Sequence, residues 1–118
     1  MSAERKRPFS PWRKAGDLIF VSGQTGFDPE TRTIGDTIEE QTRQTLVNVE
    51  RVLKEAGTRM NQIIKTTVFL SDIKLFQQMN AVYITFFPGE PPARSTVQAA
   101  LSSPKMLVEI EAIAYVKE

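Results

Sequence analysis

The chain has 118 residues, 15 Lys plus Arg against 14 Asp plus Glu, and neither histidine nor cysteine. That length fits one domain spanning 1–118 with a core of its own, and the near-neutral charge disfavours a nucleic-acid module that works through phosphate contacts. Lacking His and Cys, the chain has no disulfide, thiol nucleophile, thiolate or imidazole zinc site, or imidazole acid–base group; chemistry falls to carboxylates, Arg, Lys, Tyr, hydroxyls and backbone.

No apolar run reaches membrane-spanning length, and Met1 to Ser10 lacks the apolar centre of a secretory signal. A cytoplasmic protein without membrane contact is the expectation, with Arg5-Lys6-Arg7 as a solvated tail. Pro8 and Pro11 reduce Phe9 to Lys14 to at most an edge strand. After a turn at Gly16-Asp17, Leu18 to Ser22 reads as a buried strand, and Gly23 and Gly26 bracket a bend that allows close approach of a ligand or another chain. Asp28-Pro29-Glu30-Thr31 is a turn.

Thr37 with Glu40 matches a capping box, and Ile38, Thr42, Leu46, Val49, Leu53 and Ala56 make one apolar stripe ending at Gly57. A one-sided stripe predicts a helix lying on a sheet. The β-branched run Ile63 to Leu70 predicts a strand. Ser71 or Asp72 starts a second helix, with Phe76, Met79, Tyr83 and Phe87 among its apolar positions, and Pro88-Gly89 ends it. Two more strands follow, around Arg94 to Gln98 and Leu107 to Val116, joined across Ser102-Ser103-Pro104. Two helices cannot cover both faces of such a sheet, so they are expected on one face. The other face, bearing Glu109 and Glu111, is expected to be an interface between identical chains.

Arg94 and Thr96 share one side of their strand. A guanidinium offers a planar fork that fits a carboxylate, so Arg94 is a candidate anion clamp; a structural ion pair with Glu109, Glu111 or a helix carboxylate is the alternative. Glu109, on an otherwise apolar face, is a candidate for handling a water proton, or else a partner for Lys105 or Arg94. Were the last two strands a tight hairpin, Arg94 and Glu109 would be out of register, and a ligand or neighbouring subunit would have to join them. Asn80 either reaches a ligand or satisfies backbone groups. The residues alone therefore support a small oligomeric α+β protein with an Arg/Glu site for a small carboxylate.

Ser22-Gly23-Gln24, Asp28-Pro29-Glu30-Thr31, Glu40-Gln41-Thr42-Arg43-Gln44, Lys65-Thr66-Thr67-Val68-Phe69-Leu70, Pro92-Ala93-Arg94-Ser95 and Val108-Glu109-Ile110-Glu111-Ala112, in this order over nearly the whole chain, resemble the RidA/YjgF family of imine deaminases. The resemblance implies a chorismate-mutase-like α+β fold, with a mixed, mostly antiparallel sheet and two helices on one face. It further implies a homotrimer whose sheets form a central barrel, with sites in the clefts between subunits. The implied activity is hydrolysis of 2-imino or 2-enamino acids to 2-keto acids and ammonia, with no metal or organic cofactor. By resemblance, Arg94 binds the substrate carboxylate and Glu109 positions the attacking water. Ser22, Gly23 and Asn80 line the pocket, Thr96 stands where many members have cysteine, and Phe9 where many have tyrosine. Pro11-Trp12 departs from the usual small polar residues, and the loop before Arg94 is shorter than in many relatives. The rival readings are an RNA-directed endoribonuclease or translation inhibitor, and a non-catalytic regulator that binds small metabolites.

Overall fold

The computed structural model describes residues 7–116, so Arg5 and Lys6 of the basic tail lie outside the described residues. After Pro11 the chain enters a short edge strand, β1 (Trp12–Ala15), turns at Gly16 with φ +59°, and returns antiparallel as β2 (Leu18–Thr25). A two-stranded ribbon follows, β3 (Phe27–Asp28) and β4 (Thr33–Ile34), closed by the expected Asp-Pro turn. Gly26, just before it, runs so close to the helix after it that a Cβ would lie 2.9 Å from the Cα of Gln41.

That helix is α1 (Ile38–Glu55). The Thr37 hydroxyl accepts from the Glu40 amide at 3.1 Å and donates to the Glu40 carboxylate at 3.0 Å. The end is as ordered: Gly57, at φ +87°, lets its own amide reach Lys54 O and the Thr58 amide reach Leu53 O, satisfying carbonyls the helix leaves open. The predicted stripe is buried as far as Leu53, with Ala56 half-buried at its end, and Gln41 and Asn48, which the stripe does not include, are buried with it. Asn48 donates to Thr25 O and Phe27 O, both at 2.8 Å, and fixes the ribbon to the helix.

Strand β5 (Ile63–Leu70) leads through a 3-10 turn, capped by Asp72, into α2 (Phe76–Tyr83). Then come β6 (Ala93–Gln98) and β7 (Val108–Tyr115). The five-stranded sheet runs β1-β2-β7-β5-β6, antiparallel throughout except for the parallel pair β5–β6, with both helices on one face.

The last two strands do not pair. β7 inserts between β2 and β5, and β6 is carried to the edge. The residues explain the choice. Val108, Ile110, Ala112 and Ala114 are all buried beneath the helices, as a central strand requires, whereas β6 is polar and partly exposed along its length. A parallel partner needs a crossover, and α2 supplies it between β5 and β6. The long return from β6 to β7 is held by Gln41, which is 1% exposed. Its Nε2 donates to Gly35 O and Lys105 O, and its Oε1 accepts from the Leu107 amide, all within 2.9 Å. No helix among the described residues is long and apolar enough to cross a membrane.

Removing the Gln41 amide strands backbone groups around it and frees the segment that starts β7. Gln41→Ala is expected to lower the unfolding free energy by about 2–4 kcal/mol, readable from urea titration.

Candidate functional site

Register across the sheet decides which charges can meet. Arg94 is in register with Thr66 of β5, and Thr66 with Ala112 of β7, so Arg94 lies on the helix side of the edge strand. There its guanidinium carbon sits 4.7 Å from the ring centre of Tyr83 and 5.5 Å from that of Phe76. Both distances are within the range of cation–π attraction. Arg94 has no carboxylate in ion-pair contact among the described residues. It opens onto a pocket of about 520 Å³ shared with Gln77, Asn80, Ile84, Pro91 and Pro92. The Asn80 Oδ1 is buried without a hydrogen-bond partner among the described residues. The cleft therefore combines a cation, an amide and apolar walls, a set suited to a small carboxylate bearing a nitrogen or carbonyl group.

Glu109 lies on the other face, in register with Phe69 of β5 and Thr25 of β2. Beside it, β2 bulges: three steps from Val21 to Gln24 match two steps from Ala112 to Ile110 on β7, so Ser22-Gly23 carries one extra residue. The Glu109 carboxylate packs directly on Gly23, in space a Cβ would need. Burial first, and the neighbouring Glu111 second, raise the Glu109 pKa above that of an ordinary carboxylate. The Ser22 hydroxyl donates to Ser10 O at 2.6 Å, and the Ser22 amide to Pro11 O at 3.0 Å, tying down the arm that carries Phe9. Phe9 itself is 59% exposed. Ser10, Arg13, Phe20, Ser22 and Glu111 surround a second hollow, of about 230 Å³, on this open face.

The sequence-derived candidates thus fall into two groups within one chain. Arg94 and Asn80 share the cleft under α2. Glu109, Gly23 and Ser22 lie around the bulge on the opposite face of the sheet. Thr96 faces the helix side in register with Val68 and does not line the Arg94 cleft. Phe9 projects from the arm and lines neither hollow. An ion pair between Arg94 and Glu109, one of the readings open from sequence, is excluded within a chain by this geometry. In the sequence Phe76 and Tyr83 belong to the apolar positions of the second helix; their place under Arg94 depends on the parallel pairing of β6, which no local pattern signals.

This is a small α+β protein with a cationic cleft under its second helix and a desolvated carboxylate on its open sheet face. A family profile described as "Endoribonuclease L-PSP" matches residues 2–116. A RutC family protein of Pyrococcus abyssi is 44% identical over 110 residues, covering 92% of this chain and 86% of its own. Reactive Intermediate Deaminase A, chloroplastic, of Arabidopsis thaliana is 40% identical over 108 residues, 91% of this chain and 58% of that protein. The crystal structure of E. coli TdcF with bound serine superposes with a TM-score of 0.88 at 35% identity, covering 96% of this chain and 91% of the other. The chain belongs to this RidA/YjgF family, also called the L-PSP family.

A carboxyl whose pKa is raised in the fold keeps its proton more readily folded than unfolded. The chain therefore loses stability as pH rises from the ordinary carboxylate value through the raised one. Glu109→Gln removes this loss. The variant is expected to melt higher than the unaltered chain at pH 7, the two curves converging below about pH 4, in paired thermal denaturation.

Proposed function

We propose that this protein hydrolyses 2-imino acids, and the enamines in equilibrium with them, to 2-keto acids and ammonia. The observation that carries the reading is Arg94: a cation in a cleft of small-metabolite size, held by aromatic faces and without a carboxylate counter-ion among the described residues. The name of the Arabidopsis relative and the serine in the TdcF structure support a reactive intermediate with an amino-acid skeleton.

In this mechanism Arg94 holds the substrate carboxylate. Glu109 orients a water and takes one of its protons as the oxygen adds to the iminium carbon. The tetrahedral adduct passes a proton to nitrogen, through Glu109 or solvent, and the C–N bond breaks to release ammonia and leave the ketone. An iminium and one water thus become a 2-keto acid and an ammonium ion. The substrate carbon is already electrophilic, so positioning supplies much of the acceleration. Asn80 and the Ser22-Gly23 bulge line the site, with Thr96 and the Phe9 ring at its margins.

The two groups of residues lie on opposite faces of one sheet, so the reading requires a neighbour: the cleft of one chain completed by the open face of another. Phe20, Val97 and Tyr115, apolar and exposed on that face, support a homotrimer with sites between subunits. The description of the family profile favours a second reading, RNA cleavage. The absence of histidine and a net charge of +1 count against it. Cleavage by purified protein that disappears in Arg94→Ala would restore it.

The test is ammonia release from 2-iminopropanoate generated in situ by an amino-acid-deaminating enzyme. Arg94→Ala is expected to raise KM roughly 30-fold or more. Glu109→Gln is expected to lower kcat by about 10²-fold. The unaltered rate is expected to fall on the acid side at a pH above the ordinary carboxylate value, as Glu109 takes up its proton. A rate no faster than buffer, or one indifferent to both substitutions, rejects the assignment.

A further inference from the structure

Arginine side chains that must point at a ligand are commonly aimed by a carboxylate. That solution has a cost at an anion site, because the aiming carboxylate neutralises the charge and occupies the N–H donors the ligand needs. Arg94 is aimed in another way. Its guanidinium lies over the Tyr83 ring, with Phe76 as a second, more distant wall. An aromatic face attracts a cation through its π electrons and leaves the in-plane N–H fork unoccupied.

Tyr83 is itself pinned. It is 4% exposed, and its ring packs on Phe87 with centroids 4.9 Å apart. Its hydroxyl lies 2.6 Å from Oγ1 of Thr66, which is 1% exposed and stands in register with Arg94 on the adjacent strand. The same pair of residues thus joins the backbone position of Arg94 to the ring beneath its side chain. Burial raises the Tyr83 pKa, against the smaller opposing effects of the Thr66 hydrogen bond, the Arg94 charge and, last, a hydrogen bond with Arg94, so the phenol stays neutral and brings no competing negative charge.

Resting on the reading of Arg94 as an anion clamp, we propose that Tyr83, tethered by Thr66 and flanked by Phe76, is a positioning residue that seats the Arg94 guanidinium in place of a counter-ion. The cation is thereby aimed without a carboxylate partner among the described residues, and Tyr83, which borders the cleft but is 4% exposed, acts on the substrate through Arg94. A second consequence follows for the tether: Tyr83→Phe and Thr66→Val break the same hydrogen bond, so their effects must overlap and not add.

Calorimetric binding of 2-oxobutanoate, a non-reacting 2-keto acid, tests this without relying on turnover. Tyr83→Leu is expected to weaken binding roughly 5- to 30-fold, the range a partly desolvated cation–π contact supports, and Phe76→Leu by about 2- to 5-fold. Tyr83→Phe, which restores the ring, is expected to recover most of the loss. Tyr83→Phe, Thr66→Val and their double variant are expected to share one effect of about 2- to 5-fold. In the deaminase assay the Tyr83→Leu loss is expected in KM, with kcat within about threefold, since a seat for the carboxylate clamp contributes to binding in ground and transition state alike. Thermal melts identify any variant that does not fold, and Phe76→Leu and Tyr83→Phe keep the test open if Tyr83→Leu is one of them. Should Arg94→Ala abolish binding while the folded ring variants bind as the unaltered chain does, the seat is overturned and the clamp stands. Should Arg94→Ala bind normally, the clamp fails and the seat fails with it.

Discussion

Side chains alternate across a strand, and β7 has one side wholly committed to the helices. Val108, Ile110, Ala112 and Ala114 are buried there, so Glu109, Glu111, Ile113 and Tyr115 are forced to the open face. A one-residue slip would bury two carboxylates and expose the core set, which is why the register is strongly specified. Much of the site's layout depends on this. Strand β2 places its bulge against β7 and so sets Gly23 on Glu109, and β5, in register with β7 on one side and β6 on the other, puts Arg94 on the helix face.

Polar groups buried with the core keep that arrangement. Gln41 reads as one more polar residue of an amphipathic helix, yet its amide is the clasp that starts β7 at the right residue. Asn48 does the same for the ribbon after β2. These amides specify geometry more than they add net stability, because each hydrogen bond replaces one to water. Losing one is costly because its partners are left without the solvent they had when unfolded.

The two charged groups are each held in a state suited to a task. Among the described residues Arg94 has no carboxylate partner and lies over aromatic faces, in a cleft whose Asn80 amide oxygen has no hydrogen-bond partner there. Glu109 is partly desolvated, and Glu111 two residues on adds repulsion. Membership of the RidA/YjgF family accords with both, and within one chain the two groups stand on opposite faces of one sheet.

Much of the fold was legible in local pattern. The capping pair Thr37 and Glu40, the helix end at Gly57, the stripe of α1 and the alternation in β7 are all read over distances of one turn or a few residues, where sequence spacing and spatial spacing coincide. So were the candidates Arg94 and Glu109, because charge within an apolar strand demands a reason wherever the strand lies. Strand order was another matter. The final two strands read as joined by a turn, with their pairing left open, and only the competition for the central position, won by the more completely apolar β7, sent β6 to the edge beside β5. That long-range choice put Tyr83, Thr66 and Phe76 around Arg94 and set Glu109 on the opposite face. By itself the sequence determined which residues carry charge into the sheet; tertiary structure decided which of them meet, since pairing is settled by the burial of whole strands and not by any residue's immediate neighbours.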